Sequence, residues 1–287
     1  MRHAADHSRY LGVARALSSA GTPGVVHASR RPVEQLPLWH VLPGVRALVA
    51  VLGEARDEAP AAPRGAWSIE ALPSLARSGG CPLVALSATS PRPLLLEALR
   101  VVRAAGLLAV VRADESLDAE TCQQIAPCVD AVALEFAPFD ERSAAGRERA
   151  CQVRDRLLQL RRADVWVEVA TAVERPLPSA AWLETALSLR AIDPAIPWHV
   201  IERSAQPAVA AREVAQAQAA GQRAGLHHVY AEAAADGGGE LTFCAVCRDV
   251  VLIERFMGRP SSFLAAGASC PCCRTRPAGL FEPAAIA

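Results

Sequence analysis

Four cysteines near the end of the 287-residue chain carry its clearest chemistry. Cys244 and Cys247 form one Cys-x-x-Cys pair, and Cys270 and Cys273 form a second, 22 residues further on. A tetrahedral zinc site needs four soft ligands at ~2.3 Å, and two such turns deliver two thiolates each. VVLIERFMGR lies between the pairs and reads as a strand and its return, with Gly258 and Pro260 as turn and exit signals. The knuckle, about residues 240–287, is too small to hold a core of its own. Metal binding would supply its folding free energy, ~10–16 kcal/mol for structural zinc. Iron in a rubredoxin-like site is the rival. Arg248 and Arg274 stand just after the pairs, where a glycine often leaves room for N–H groups to approach the sulfurs. That difference favours structural zinc over a redox-tuned iron. Cys272 is a fifth thiol beside the site, a bystander that competes only with Cys273.

Elsewhere the candidates for acid–base chemistry are Glu168, His199 and Glu202. Glu168 interrupts the apolar run VWVEVAT. A carboxylate there must be paired, hydrogen-bonded or shifted in pKa, and a buried arginine is its simplest structural partner. His199 follows Trp198 in an apolar segment, where hydrogen-bonded structure is the commoner role. His227 and His228 are adjacent in a strand candidate and must point to opposite faces. Trp39 and His40 fall in an extended segment expected to pack on the body. No Ser–His–Asp order, His-Glu-x-x-His pattern or glycine-rich phosphate loop occurs.

Apolar, β-branched runs recur and must position these groups: 47–52, 82–86, 107–112, 129–136, 165–171, 198–201 and 227–230. Amphipathic stretches alternate with them, among them 93–106, 148–163 and 209–225. That alternation predicts an α/β fold with a parallel sheet covered on both faces. Seven units suggest a partial or full (β/α) barrel, with a doubly wound open sheet as the alternative. The expected organisation is an N-terminal helix and extended lead-in over 1–40, a barrel over 41–232, and the knuckle over 240–287. A small, flexible linker of the composition AEAAADGGGE (231–240) joins the last two. In a parallel barrel chemistry sits at the C-terminal strand ends, where Ser87, Thr89, Arg112, Asp114, Glu135, Glu174 and Arg203 are expected to form a polar rim beside Glu54 and Thr171.

Charge is balanced at 30 basic and 30 acidic residues, so no nucleic-acid or membrane partner is predicted from net charge. Every basic residue is Arg, and the absence of Lys and Asn excludes Schiff-base lysines, P-loop lysines and N-glycosylation. The start, MRHAADHSRY, lacks the apolar stretch of an export signal. No apolar run approaches the ~20 residues of a membrane span. Nine cysteines in such a chain point to a cytoplasmic, reducing setting and to metal rather than disulfides.

RPVEQLPLWHVLPG (31–44), VDAVALEFAPFD (129–140), VWVEV (165–169), IPWHV (196–200) and HHVY (227–230), followed by the four cysteines, resemble the radical S-adenosylmethionine (SAM) proteins of the AmmeMemoRadiSam system. These are relatives of pyruvate formate-lyase activating enzymes, and the resemblance runs from about residue 23 to the end. It implies a partial α/β barrel with a C-terminal metal knuckle. It also implies a protein partner, Memo-like or an intact radical SAM relative. The family's chemistry needs a Cys-x-x-x-Cys-x-x-Cys loop after the first strand to hold a [4Fe–4S] cluster that reduces SAM. Laid on that pattern from Leu42-Pro43-Gly44, the ligand positions fall on Ala55, Ala59 and Ala62, and no cysteine occurs before residue 81. The SAM-contacting segment reads Ser90-Pro91-Arg92, and the motifs after later strands read Arg112-Ala113-Asp114, Glu135-Phe136-Ala137 and Glu232-Ala233. The expectation is therefore a degenerate member that keeps structural zinc and holds no cluster, with an eroded SAM-contacting segment that leaves SAM binding in doubt. Its role would be scaffold, partner or regulator. The alternative is an enzyme, radical or repurposed, acting at the barrel mouth.

Overall fold

The computed structural model describes residues 23–54, 67–139, 141–174, 176–203, 207–232, 240–256 and 259–282. Ala55, Ala59, Ala62, Gly258, the segment 9–21 and most of the linker lie outside them.

Eight strands form one sheet in strictly sequential order. The first, β1 (Pro23–Pro32), is antiparallel to β2 (Arg46–Glu54). From β2 onward every neighbour is parallel: β3 (Leu83–Ser87), β4 (Leu108–Ala113), β5 (Ala131–Glu135), β6 (Trp166–Val173), β7 (Trp198–Glu202) and β8 (Val229–Glu232). Sequential order has no switch point, which removes the doubly wound alternative. Among the described residues β8 does not pair with β1, so the barrel is partial.

Helices α1 (Leu72–Ser78), α2 (Arg92–Ala104), α3 (Ala119–Ile125), α4 (Ala144–Arg162), α5 (Ser179–Ile192) and α6 (Pro207–Ala224) connect the parallel strands and cover one side. Local chemistry starts and stops them. Asp118 Oδ1 accepts the Thr121 N–H at 2.6 Å and Ser143 Oγ accepts that of Gly146 at 2.9 Å, both N-caps. Pro91 and Pro93 flank the start of α2. The larger core lies between helices and sheet, where Leu48, Val84, Val111, Val132, Val169 and Val200 meet Leu95, Leu99, Leu157 and Trp182.

Strand alternation turns the other residues to the concave side. Ala47, Leu83, Ala85, Val110, Ala131 and Trp166 there form a second core. No helix fills it. The segment between β1 and β2 does, through Val33, Leu36, Leu38, Val41 and Leu42. The C-terminal tail joins this arm: Leu42 N–H donates to the Leu280 carbonyl and Leu280 N–H to the His40 carbonyl, both at 2.7 Å. A side chain on Gly279 would meet the His40 carbonyl oxygen at 2.6 Å, so only glycine permits that approach.

Behind the tail, β9 (Glu240–Phe243), β10 (Val251–Phe256) and β11 (Arg259–Ser262) make a three-stranded antiparallel sheet in the order β11-β10-β9. The expected strand and its return are β10 and β11. The strand β9 in front of them, and β1 at the edge of the main sheet, are additions to the sequence reading.

Helix α6 packs closely on β8. A Cβ on Gly221 would lie 2.4 Å from Val229 Cγ2, a stiff β-branched side chain. Gly→Ala in a helix interior ordinarily stabilises by about 1 kcal/mol. Gly221→Ala should instead cost about 1–3 kcal/mol through overpacking. Urea unfolding checks this, and a stabilised variant would contradict the packing.

Candidate metal centre and buried polar network

The knuckle brings the four expected cysteines together. The sulfurs of Cys244, Cys247, Cys270 and Cys273 all lie within 4.8 Å of one another. Cys244 Sγ stands 3.6 Å from Cys273 Sγ, and Cys247 Sγ 4.0 Å from Cys270 Sγ. A tetrahedral ion with ~2.3 Å bonds needs ligand separations of about 3.8 Å, and the two pairs at 3.6 and 4.0 Å bracket that value, so the donor set suits zinc, or iron. Each pair sits in a tight turn. Arg248 N–H donates to the Cys244 carbonyl at 2.8 Å, and Arg274 N–H to the Cys270 carbonyl at 3.0 Å. Cys247 N–H points at Cys244 Sγ at 3.4 Å.

Arg248 and Arg274 have φ of 68° and 64°. This left-handed conformation explains why glycine suits the position, and arginine adopts it at a cost of about 1–2 kcal/mol each. Hydrogen bonds from the Thr275 hydroxyl and N–H hold the Cys273 thiol down to about 6. Burial raises Cys244, and the neighbouring Cys273 sulfur raises Cys247. Leu252 and Ile253 wall the site on its inner side. Cys272 is exposed and outside the cluster.

Glu168 and His199 also come together, fully buried on the concave side. Glu168 Oε2 accepts the Trp39 N–H and the His199 Nε2–H, each at 2.8 Å. Its Oε1 accepts the His40 N–H at 2.8 Å and the Trp166 indole N–H at 3.2 Å. Where the sequence suggested a buried arginine, these hydrogen bonds come from two backbone N–H groups, an indole and an imidazole. Backbone N–H groups of the arm take that place. Glu202 does not join them: alternation along β7 puts it on the side of Trp198 and Val200. Thr171 likewise faces the helices and accepts the Trp198 indole N–H at 3.1 Å.

A second chain of bonds continues to the knuckle. Arg255 donates to Thr242 Oγ1 at 2.8 Å, Thr242 to the Tyr230 oxygen at 2.8 Å, and Tyr230 to His40 Nε2 at 2.7 Å. His40 Nδ1 donates to the Ala278 carbonyl at 2.7 Å. The ends fix this direction, since a guanidinium only donates and a carbonyl only accepts. Arg255 also donates to the Trp39 carbonyl at 2.7 Å and lies over the Trp39 ring at 4.5 Å. Burial pushes the His40 imidazole well below its ordinary pKa, and burial beside His227 takes His228 down to about 3. Both rings are neutral in the fold. His227 is exposed and His228 buried, but both precede β8, which starts at Val229, so the expected strand over 227–230 begins two residues later.

Toward the C-terminal strand ends, two residues beyond Glu168 and His199 on the same face, Ala170 and Ile201 border an open cavity of about 300 Å³. Six of the expected rim residues line it: Ser87, Thr89, Arg112, Asp114, Glu135 and Arg203. Glu174 and Thr171 do not.

No family model matches the sequence, and no curated protein matches it. Among solved structures, Streptococcus suis SuiB bound to S-adenosylmethionine is similar at 12% identity and a TM-score of 0.41, over 57% of this chain and 40% of SuiB. SuiB bound to the precursor peptide SuiA gives 12% and 0.36, over 48% and 33%. The carboxyl transferase domain of Rhizobium etli pyruvate carboxylase gives 16% and 0.36, over 57% and 29%. The chain thus spans two-fifths or less of each. TM-scores below 0.5 carry no weight, and the architecture rests on the strand order described above. Among the described residues no helix is long and apolar enough to cross a membrane.

Two outcomes are expected. Purified protein should hold one zinc per chain by mass spectrometry, and chelation should expose residues 240–282 to protease while lowering the melting temperature of the whole chain. An unchanged barrel melt would break the link through Arg255 and Thr242. Lowering the pH should also destabilise the protein. A histidine with a folded pKa below ~6.5 contributes stability above that pH and loses about 1.4 kcal/mol per unit beneath it. With His40 and His228 both so placed, stability at pH 5.5 should fall about 2–3 kcal/mol below that at pH 7.5. His228→Phe should halve the loss, which separates it from acid release of metal.

Proposed function

We propose that the chain is a radical SAM-type barrel that no longer runs radical chemistry. It would act as a zinc-containing scaffold, or regulatory partner, in an AmmeMemoRadiSam-type system. One observation supports this above the others: the first 80 residues contain no cysteine, and the sequence following β2, where the resemblance would put three thiolates, reads ARDEAPAAPRGA. An alanine methyl cannot ligate iron.

The remaining thiols are placed for other work. Cys81, Cys122 and Cys128 are buried in the core between helices and sheet, Cys151 is exposed on α4, and Cys272 lies on the knuckle. Burial raises the thiols of Cys81 and Cys128, and takes Cys122 up to about 11. Such groups are small packing residues and not ligands. Zinc fits the four-sulfur knuckle, where it would stiffen a sheet too small to fold alone. The most conspicuous acid and base of the barrel, Glu168 and His199, have no exposed surface and bond to each other and to the arm. They hold the arm in place, which disfavours the reading of a repurposed enzyme using them as acid and base. The partner would be a Memo-like protein or an intact radical SAM relative, and this rests on the sequence resemblance alone.

Anaerobic reconstitution with iron and sulfide decides the reading. The expected product has no acid-labile sulfide and retains a single metal in the knuckle. A reducible [4Fe–4S] centre that persists in a Cys244→Ser/Cys247→Ser variant would overturn it.

A further inference from the structure

We infer that the cavity at the strand ends is a binding site for a small organic acid, with its oxyanion on Arg112 and its apolar body on the floor beneath. This goes beyond the scaffold reading, which needs no ligand and would stand if the site proved empty.

The charges lining the cavity are unequal in what they already do. Arg203 is paired with Glu135 through both guanidinium nitrogens, the second at 2.9 Å. Asp114 Oδ1 accepts the Ser116 N–H at 2.8 Å and its hydroxyl at 2.5 Å, so this carboxylate is tied into its own turn. Arg112, at the end of β4, pairs with no carboxylate among the described residues. Its guanidinium offers a planar fork of donors suited to a carboxylate or phosphate. Ser87 Oγ and Thr89 Oγ1 stand 2.7 Å apart on β3 and the turn after it. One hydroxyl donates to the other, which leaves a single O–H free to donate to a ligand.

The floor is of a different kind. Leu36, Ala133 and Ala170 are nearly buried and present only carbon to the space above. A volume of about 300 Å³ lies at the small end of ligand sites. One cationic fork, one hydroxyl donor and a carbon floor together select a compact molecule with an oxyanion at one end and an apolar group at the other. A carboxylic acid and a phosphate monoester share that chemistry.

The zinc-loaded full chain should be titrated with benzoate, butyrate, phenyl phosphate and inorganic phosphate, and with uncharged benzamide, by calorimetry and thermal shift. The expected result is binding of at least one organic acid tighter than about 10 mM, with no shift from benzamide. Arg112→Gln should weaken it about ten- to hundredfold, the range of a charge-assisted hydrogen bond. Ser87→Ala should weaken it severalfold, and serves if the first variant does not fold. Arg100→Gln, on the exposed side of α2, should change nothing. Failure of every organic acid to bind, or equal binding by Arg112→Gln, would overturn the site. Inorganic phosphate binding as tightly as its phenyl ester would do so as well, because the apolar floor would then contribute nothing.

Discussion

A carboxylate with no exposed surface is tolerable only when its oxygens are fully engaged, and Glu168 meets that condition with four donors. Two of those donors are consecutive backbone N–H groups, Trp39 and His40. The acid therefore fixes a stretch of main chain and not merely a side chain. Once the arm is held there, Leu36, Leu38 and Val41 cover the concave face of a sheet that has no α-helix on that side among the described residues. A partial barrel without such a cover would leave an apolar trough open to water. The Arg255 chain extends the same tie into the knuckle. Arm, barrel and metal domain are thus joined by one set of buried hydrogen bonds, and loss of any single donor leaves a neighbour unsatisfied.

The knuckle has little apolar material of its own. Leu252 and Ile253 are its fully buried aliphatics, with Val250, Leu264 and Phe281 partly covered. Four sulfurs already at metal-ligating separation substitute for a core. The left-handed backbone at Arg248 and Arg274 is a cost the two Cys-x-x-Cys turns impose on a sequence that has arginine where glycine would relax.

Much of this organisation was legible in the sequence because it follows from periodicity. The seven parallel strands stand where continuous apolar runs end in turns, and the cysteine spacing alone grouped the four thiols that cluster. The missed elements carry weaker signals. β1 reads PGVVHASRRP, half polar and bounded by prolines, as an edge strand with one solvent side allows. β9 is four residues long and follows a glycine-rich linker. Glu168 announced itself as an anomaly in an apolar run, yet its partners did not, because backbone N–H groups leave no mark on residue identity. The rim residues of the cavity were predictable as strand-end positions. Which of them remained unpaired was not, since pairing depends on loop geometry.

The bond from His40 to the Ala278 carbonyl spans 238 positions of the chain. A ribosome releases the arm well over 200 residues before its partners at 278–280, so the inner trough of the sheet waits, wet and apolar, while the parallel strands are made. Closure of the trough then waits for residues 278–282 to emerge. A nascent chain stalled before the second cysteine pair would be a natural client for chaperones, even though every parallel strand had already been made.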